Sequence, residues 1–138
     1  VSLKTALYDR LRLDAAVAAL VSTRVYPQRL PQAGAFPAVS IWLIDRLFDH
    51  HLVNADGHAV ARVQVDCWAR TESEADRLAQ AVRALLHGKS GTWSGVEVTS
   101  SLFDREVDFV EQPDDGSDLK IYHIACDYMI HYRVAVPS

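Results

Sequence analysis

The stretch RVQVDCWARTESEADRLAQAVRALLHG, residues 62–88, decides the fold because it passes directly from one apolar periodicity to another. Apolar residues alternate with mainly polar ones over residues 62–69, and a period of two is typical of a strand with one buried face. From residue 72 onward the apolar residues recur three and four positions apart, as on the buried side of an amphipathic helix. A strand followed at once by such a helix predicts a protein in which helices pack on a sheet.

The predicted helix runs from about Glu72 to His87. Thr71 and Glu74 have the spacing of a capping box, in which the two residues satisfy free amides of the first turn. Gly88 stands where a residue in the left-handed conformation commonly ends a helix. Because the apolar pattern and both ends agree, this helix is the best-specified element of the sequence.

A second strand is predicted before this stretch, where Val39, Ile41 and Leu43 alternate with other residues. The connection from Leu47 to His58 contains several turn-forming residues, so this strand is predicted to pair with residues 62–69 as a hairpin.

Two long strands are predicted after the helix, from Val96 to about Val110 and from Leu119 to Val134. The segment GKSGTWSG, residues 88–95, predicts a flexible turn before the first of them. The acidic, turn-rich residues 112–118 predict a solvated hairpin tip between the two strands.

The N-terminal segment is predicted to be helical but broken, because its apolar stripe shifts phase near Asp14. Asp14 is predicted to cap the second piece, Ala15–Val21, since its carboxylate can accept hydrogen bonds from the free amides of that turn. The alternative is an exposed aspartate inside one continuous helix.

Together the elements predict one α+β domain over residues 1–138. Its expected architecture is a mostly antiparallel sheet of four to five strands with two helices packed on one face, the N-terminal pieces counting as one helix. With 138 residues, 49% of them hydrophobic, the chain is long enough to bury one core and too short for a second domain.

The composition excludes several classes of protein. The formal net charge of −4, without a basic cluster, argues against general binding to the phosphate backbone of nucleic acid, and no sequence-specific binding of nucleic acid is expected either. Cys67 and Cys126 each lie in a strand-like run, so we expect reduced, buried thiols in a cytoplasmic protein rather than a disulfide scaffold. No apolar run approaches the roughly 20 residues that span a bilayer, and no membrane partner is expected.

Two sets of residues resemble ligand sites without meeting their requirements, so neither a cofactor nor a metal is expected. The run Gly88-Lys89-Ser90 resembles the last three residues of a phosphate-binding loop, but Arg83 occupies the position of the first glycine of that motif. The second set has side chains of the kinds that bind metals and consists of Asp49, His50, His51 and His58. Adjacent histidines on a strand point to opposite faces, so a polar hairpin tip is favoured over a metal site.

No catalytic residues are predicted either. His123, Asp127 and His131 share one face of the last strand and could form an acid–base pair, but no serine or cysteine nucleophile shares that face. We therefore expect a protein that is not an enzyme.

Several candidate interface residues emerge instead. Trp42, Ile44, Trp68 and Met129 are predicted on the sheet face opposite the core, where a monomer normally shows only scattered apolar side chains. The pattern indicates association with another protein, unless helices cover both faces of the sheet. Charges that can pair locally at such an interface are Arg62, Asp66, Arg70 and Glu72.

The connector RVYPQRLPQAGAFPAVSIWLI, residues 24–44, contains three prolines and is expected to be extended and stiff. Tyr26 and Pro27 at its start are further interface candidates. The connector either holds a segment across a subunit boundary or crosses the sheet of its own domain.

The order of three stretches carries a resemblance: LYDRLRLDAAVAALVSTRVYPQRLPQ, then FPAVSIWLI, then the stretch quoted first. It resembles the tail-completion proteins, which are the tail terminators of long-tailed phages and of their prophage or gene-transfer-agent relatives. The features that carry the resemblance are the Asp-capped turn Asp14–Leu20, the Arg-Val-Tyr-Pro step at Arg24–Pro27 and the strand-to-helix run Val63–Leu86.

The resemblance implies a structural role in virion assembly. Such proteins form a hexameric ring that caps the head-proximal end of the tail tube, stops its growth and joins it to the head connector. The implied partners are further copies of the chain, the tail tube protein and a head connector or adaptor protein, while DNA passes through the ring. The implied location is the host cytoplasm during assembly and then the virion tail. The alternatives are a head–tail connector or adaptor, and a small-molecule-binding or enzymatic α+β domain.

Overall fold

The computed structural model of the protein describes residues 2–28, 31, 35–49, 56–111 and 120–135. The elements in this part of the chain are, in order, α1 Leu3–Leu13, α2 Ala15–Val21, β1 Val25–Pro27, β2 Ala38–Asp49, β3 Asp56–Ala69, α3 Glu72–Leu86, β4 Lys89–Trp93, β5 Val96–Glu111 and β6 Ile121–Ala135. The predicted hairpin connection from Leu47 to His58 is too long, because residues 47–49 belong to β2 and residues 56–58 to β3. Its remaining residues, 50–55, and the predicted tip at residues 112–118 lie outside the described residues. None of the described helices has the length and apolar character needed to cross a membrane.

The six strands form one sheet in the order β1-β2-β3-β6-β5-β4. Every neighbouring pair is antiparallel except β1 and β2, which run parallel, so the sheet is mixed. The α+β class is confirmed, but the predicted count of four to five strands and two helices is wrong: the described residues form six strands and three helices. The additional strands are β1 and β4, which are short and lie at the two margins of the sheet.

The N-terminal helices are separate because each has its own cap. The backbone amide of Thr5 donates to Oγ of Ser2 (3.2 Å), and the amide of Val17 donates to Oδ2 of Asp14 (3.0 Å). Asp14 has the extended φ and ψ of −72° and 130°, which interrupts the helix between α1 and α2. The predicted capping role of Asp14 is therefore confirmed.

Helix α3 begins as predicted and ends one residue earlier. The amide of Glu74 donates to Oγ1 of Thr71 (3.2 Å), and Gly88 has a φ of +69° just after the C-cap residue His87. The predicted flexible turn that follows is wrong. Residues 89–93 form β4, which pairs with β5, and within residues 88–95 only Gly88, Ser94 and Gly95 lie in turns.

Side chains from all three helices and from one face of the sheet form a single buried cluster. Period two places Val63, Val65, Cys67 and Ala69 of β3 in this core, each fully buried. Because the helices and this face share one cluster, the helices lie on one side of the sheet. The alternative that helices cover both faces is wrong.

The two cysteines lie inside this core as free thiols. A hydrogen bond with Cys126 and burial raise the pKa of Cys67, so the neutral thiol is favoured. Their predicted burial is confirmed.

Arg10 of α1 contacts both the end of α3 and strand β4. Its Nη2 donates to the backbone oxygen of Leu85 at the end of α3 (3.2 Å), and its guanidinium lies 4.3 Å from the centre of the Trp93 ring. Cation–π contacts of this kind contribute about 0.5–2 kcal/mol. The contact connects α1 to the end of α3 and to β4. None of the three described helices lies on the opposite face of the sheet.

Candidate functional site

The face of the sheet that the helices leave uncovered is called the outer face here. Strand register defines it, because the residues of β3 that alternate with the core residues pair with the equivalent residues of β6. Trp42 on β2 pairs with Gln64, and Met129 on β6 pairs with Arg62. The predicted placement of Trp42, Trp68 and Met129 opposite the core is thus confirmed. The outer face of the two central strands consists of His58, Val60, Arg62, Gln64, Asp66, Trp68, His123, Ala125, Asp127, Met129, His131 and Arg133.

Large apolar side chains are exposed on this face. Trp42 and Ile44, both predicted interface residues, are 36% and 50% exposed. Ile44 is the additional residue of a β-bulge between Leu43 and Asp45. Met129 and Trp68 are only partly exposed. Further exposed apolar residues of this face, which the sequence interpretation missed, are Leu47, Leu102, Val107 and Phe109.

Asp66 is the centre of a buried polar network on the outer face, with 1% of its surface exposed. Its Oδ1 accepts a hydrogen bond from Nε2 of Gln64 and lies within hydrogen-bond distance of Nε2 of His123, both at 2.7 Å. Its Oδ2 accepts from Oγ of Ser40 (3.4 Å), which in turn accepts from Nε1 of Trp68 (3.1 Å). A buried carboxylate is tolerated only with such partners.

Aromatic stacking closes this network against solvent. The rings of Trp68 and His123 stack with their centres 3.8 Å apart, and Phe109 stacks on His123 from β5 at 5.3 Å. The structure thus places Asp66 beneath side chains of its own chain. Trp68, predicted as an interface residue, serves in the network as a donor and as part of its cover.

A second charged cluster lies near the middle of the outer face. Nη1 of Arg62 contacts Oδ2 of Asp104 (3.1 Å) and Oδ2 of Asp127 (3.7 Å), and Nε of Arg105 donates to Oδ2 of Asp127 (3.2 Å). Asp104 is the additional residue of a bulge in β5, so bulges in β2 and β5 flank this cluster. Bulges increase the local twist, which bends the sheet here.

The other predicted interface residues lie near the β1 margin. Tyr26 and Pro27 belong to β1 and pair with Ser40 and Ile41 of β2. The guanidinium of Arg70 lies 4.6 Å from the centre of the Phe36 ring. Glu72 is exposed in the first turn of α3. The structure therefore does not bring all the predicted interface charges together.

The ends of the proline-rich connector are fixed to the sheet. The amide of Gln28 donates to the backbone oxygen of Ile41 (2.8 Å), and Nε of Arg24 donates to the backbone oxygen of Pro37 (2.7 Å). Because β1 and β2 run parallel, the connector must return the chain to the end of the sheet at which β1 began. This geometry accounts for the connector within one domain, and a contact across a subunit boundary stays a prediction.

The residues considered as catalytic or metal-binding have structural partners. His123 lies against Asp66, Asp127 contacts two arginines, and Nε2 of His58 lies 3.3 Å from Nδ1 of His131. His50 and His51 lie outside the described residues. Within the part of the chain that is described, no three histidine, cysteine or acidic side chains are placed to hold a metal ion.

Comparison with known proteins gives the chain its family. The family model of tail completion protein gp17 matches residues 5–133. A chain from the virion of a native gene transfer agent particle shares the fold, with a TM-score of 0.75 and 23% sequence identity over 96% of each chain. No curated protein sequence matches the chain. Because the match to the family model spans nearly the whole chain, this protein belongs to the tail completion protein gp17 family and is a structural protein of a phage-type tail rather than an enzyme.

Proposed function

We propose that the chain is a tail terminator and that a ring of six copies, the number that the resemblance implies, caps the head-proximal end of a tail tube. The ring stops growth of the tube and joins it to the head connector. Membership of the tail completion family supports this role. The observation that carries it is the set of large apolar side chains exposed on the outer face beside its polar residues, since a monomer normally exposes only scattered apolar side chains and such a surface favours association.

Charge makes this assembly conditional. Each chain has a formal net charge of −4, so copies that gather in a ring repel one another. Apolar contact must offset this repulsion, and a bound tube end lowers the entropic cost of bringing the copies together. We therefore expect dilute protein to be monomeric or weakly associated and to form a ring on the tube end. High salt favours the ring, because the Debye length falls to about 3 Å near 1 M.

The proposed partners follow from this position. The ring contacts the tail tube protein on one side and a head connector or adaptor protein on the other, and DNA passes through its centre without being read. The chain acts in the host cytoplasm during assembly and remains in the virion tail.

The test is growth of purified tail tubes in the presence of the protein. We expect tubes of limited length with a ring at one end, seen by electron microscopy. Trp42→Glu places a charge on the exposed apolar surface and should abolish capping, whereas Gln80→Glu adds the same charge on the exposed side of α3 and should not. Unlimited tube growth with the unmodified protein would exclude the terminator role, and binding to the connector alone would indicate an adaptor.

A further inference from the structure

Two stretches of the sheet margin are left open by the short outer strands. β1 pairs only with residues 39–41 of β2, and β4 pairs only with residues 96–101 of β5. Residues 42–47 of β2 pair with β3 and residues 102–111 of β5 pair with β6, but on the outward side of each stretch no strand of the described residues pairs with them. These two stretches are called the β2 edge and the β5 edge.

The two edges lie on opposite margins of the sheet and at different levels. The β2 edge pairs with residues of β3 that in turn pair with residues 127–131 of β6, so the β2 edge lies at the same height in the sheet as these residues. The β5 edge is level with residues 121–129 of β6. Each edge is therefore displaced along the strands relative to the other, and such a stagger is what strands tilted around a closed ring require.

Exposed apolar side chains concentrate on these edges. Nine large apolar side chains are exposed among the described residues. Leu13 on α1 and Phe48 at the end of β2 are two of them. The other seven all lie on the two edges: Trp42, Ile44 and Leu47 on the β2 edge, and Leu102, Val107, Phe109 and Val110 on the β5 edge. An apolar open edge is a template for pairing with another strand.

Backbone groups are oriented for such pairing where each edge begins. The amide of Val39 donates to the backbone oxygen of Arg24, and the backbone oxygen of Ile41 accepts from Gln28, so alternate residues of β2 direct their polar groups toward the margin. Leu43 is next in that alternation. On β5, the amide of Phe103 points outward and donates to Nδ1 of His87 (3.0 Å), beyond which no described residue continues the β4 side of the ladder.

We propose that the β2 edge of one copy pairs with the β5 edge of the next copy, which extends the sheet from subunit to subunit. This inference deepens the proposed ring and rests on it. Head-to-tail pairing uses one edge of each kind and leaves none open when the ring closes.

Charge favours pairing of unlike edges over pairing of like edges. The β5 edge contains Asp104, Glu106, Asp108 and Glu111 against Arg105, so two β5 edges side by side repel each other. Residues 42–47 contain only Asp45 and Arg46, whose charges balance. A second copy thus offers the β5 edge an apolar partner of low charge.

The experiment uses two variants of the full chain, each with one edge blocked. The first carries Ile44→Glu and Leu47→Glu, and the second carries Val107→Glu and Val110→Glu; all four side chains are exposed, so melting temperatures should stay close to that of the unmodified chain. At the highest soluble concentration, sedimentation should show association of the unmodified chain. Each variant alone should lose it, with Kd weakened at least about 100-fold.

An equal mixture of the two variants gives the sharpest result. One open edge remains on each variant, so the mixture should form dimers and nothing larger. Leu13→Glu, at an exposed apolar position outside both edges, should leave the association of the unmodified chain unchanged. Dimers of either variant alone, variants that associate like the unmodified chain, or an unmodified chain that stays monomeric would each overturn the proposal.

Cross-linking gives a second measurement that leaves the edges intact. Leu47→Cys and Val107→Cys chains, mixed with a flexible bifunctional maleimide, should give cross-linked dimers that neither chain gives alone. The native cysteines are buried and do not compete.

If edge-blocked variants still capped tubes, the edge assignment would fail while the ring stood. If edges paired in solution but tubes grew uncapped, the ring would fail while the pairing stood.

Discussion

The hydrogen bond between Asp66 and His123 should contribute measurably to stability, and a double-mutant cycle isolates it. Asp66→Asn keeps the size of the side chain and removes its charge, while His123→Phe keeps a ring stacked on Trp68 and removes the nitrogen. The two atoms lie 2.7 Å apart, and the side chains are 2% and 12% exposed, so water competes weakly. Hydrogen bonds to charged groups contribute about 1.5–3 kcal/mol. We expect each single change to cost about 2–3 kcal/mol and the coupling energy to be about 2 kcal/mol.

Urea unfolding of dilute protein measures these free energies from the midpoint, provided that the slope with denaturant is unchanged. The matched control is the ion pair of Arg12 with Asp9, whose side chains are 39% and 27% exposed at 3.3 Å. Solvent screening limits such a pair to at most about 0.5 kcal/mol of coupling. A coupling between Asp66 and His123 no larger than that of this surface pair would refute the view that the network is a stabilising, water-excluded unit.

Three further substitutions test separate parts of the fold by the same unfolding measurement. Asp14→Ala removes the acceptor of the Val17 amide and should cost about 1 kcal/mol; no loss would mean that α2 does not depend on its cap. Gly88→Ala should also cost about 1 kcal/mol, through its φ of +69° alone, because a Cβ there meets no atom within 4 Å; a much larger loss would indicate a clash. Tyr128→Phe should be neutral or stabilising by up to about 1 kcal/mol, since its buried hydroxyl has no hydrogen-bond partner among the described residues; a clear destabilisation would reveal a partner.

Local signals were enough to predict the helices and the long strands. The cap, apolar stripe and terminal glycine of α3 act within one segment, and Asp14 interrupts the N-terminal helix through its own backbone and side chain. Period two also assigned the faces of β3 and β6 correctly, because one face must enter the core.

The short strands could not be predicted, because their existence depends on partners distant in sequence. Residues 89–93 contain a glycine and few apolar side chains, and they are a strand only because β5 pairs with them. β1 ends in a proline and is held by β2 across the connector. The spacing of apolar residues along the sequence does not indicate either pairing.

The candidate surface was predicted only in part for a similar reason. The apolar residues of β2 stood out because two of them are large and lie on a face of otherwise polar residues. Burial of Asp66 depends on His123 and Trp68 arriving from two strands, which local polarity does not show. The apolar residues of the β5 edge alternate with acidic ones, a pattern that also fits an ordinary solvated strand.

The pairing of β3 with β6 has a consequence for folding during synthesis. The other antiparallel pairs of the sheet join strands that follow one another along the chain, whereas β3 and β6 are separated by α3, β4 and β5. Closing so long a loop is entropically costly, and non-local pairings of this kind slow folding. During synthesis one edge of β3 therefore stays unpaired until β6 leaves the ribosome. The last of the described strands along the chain completes the centre of the sheet, so we expect a fragment that lacks β6 not to assemble the core.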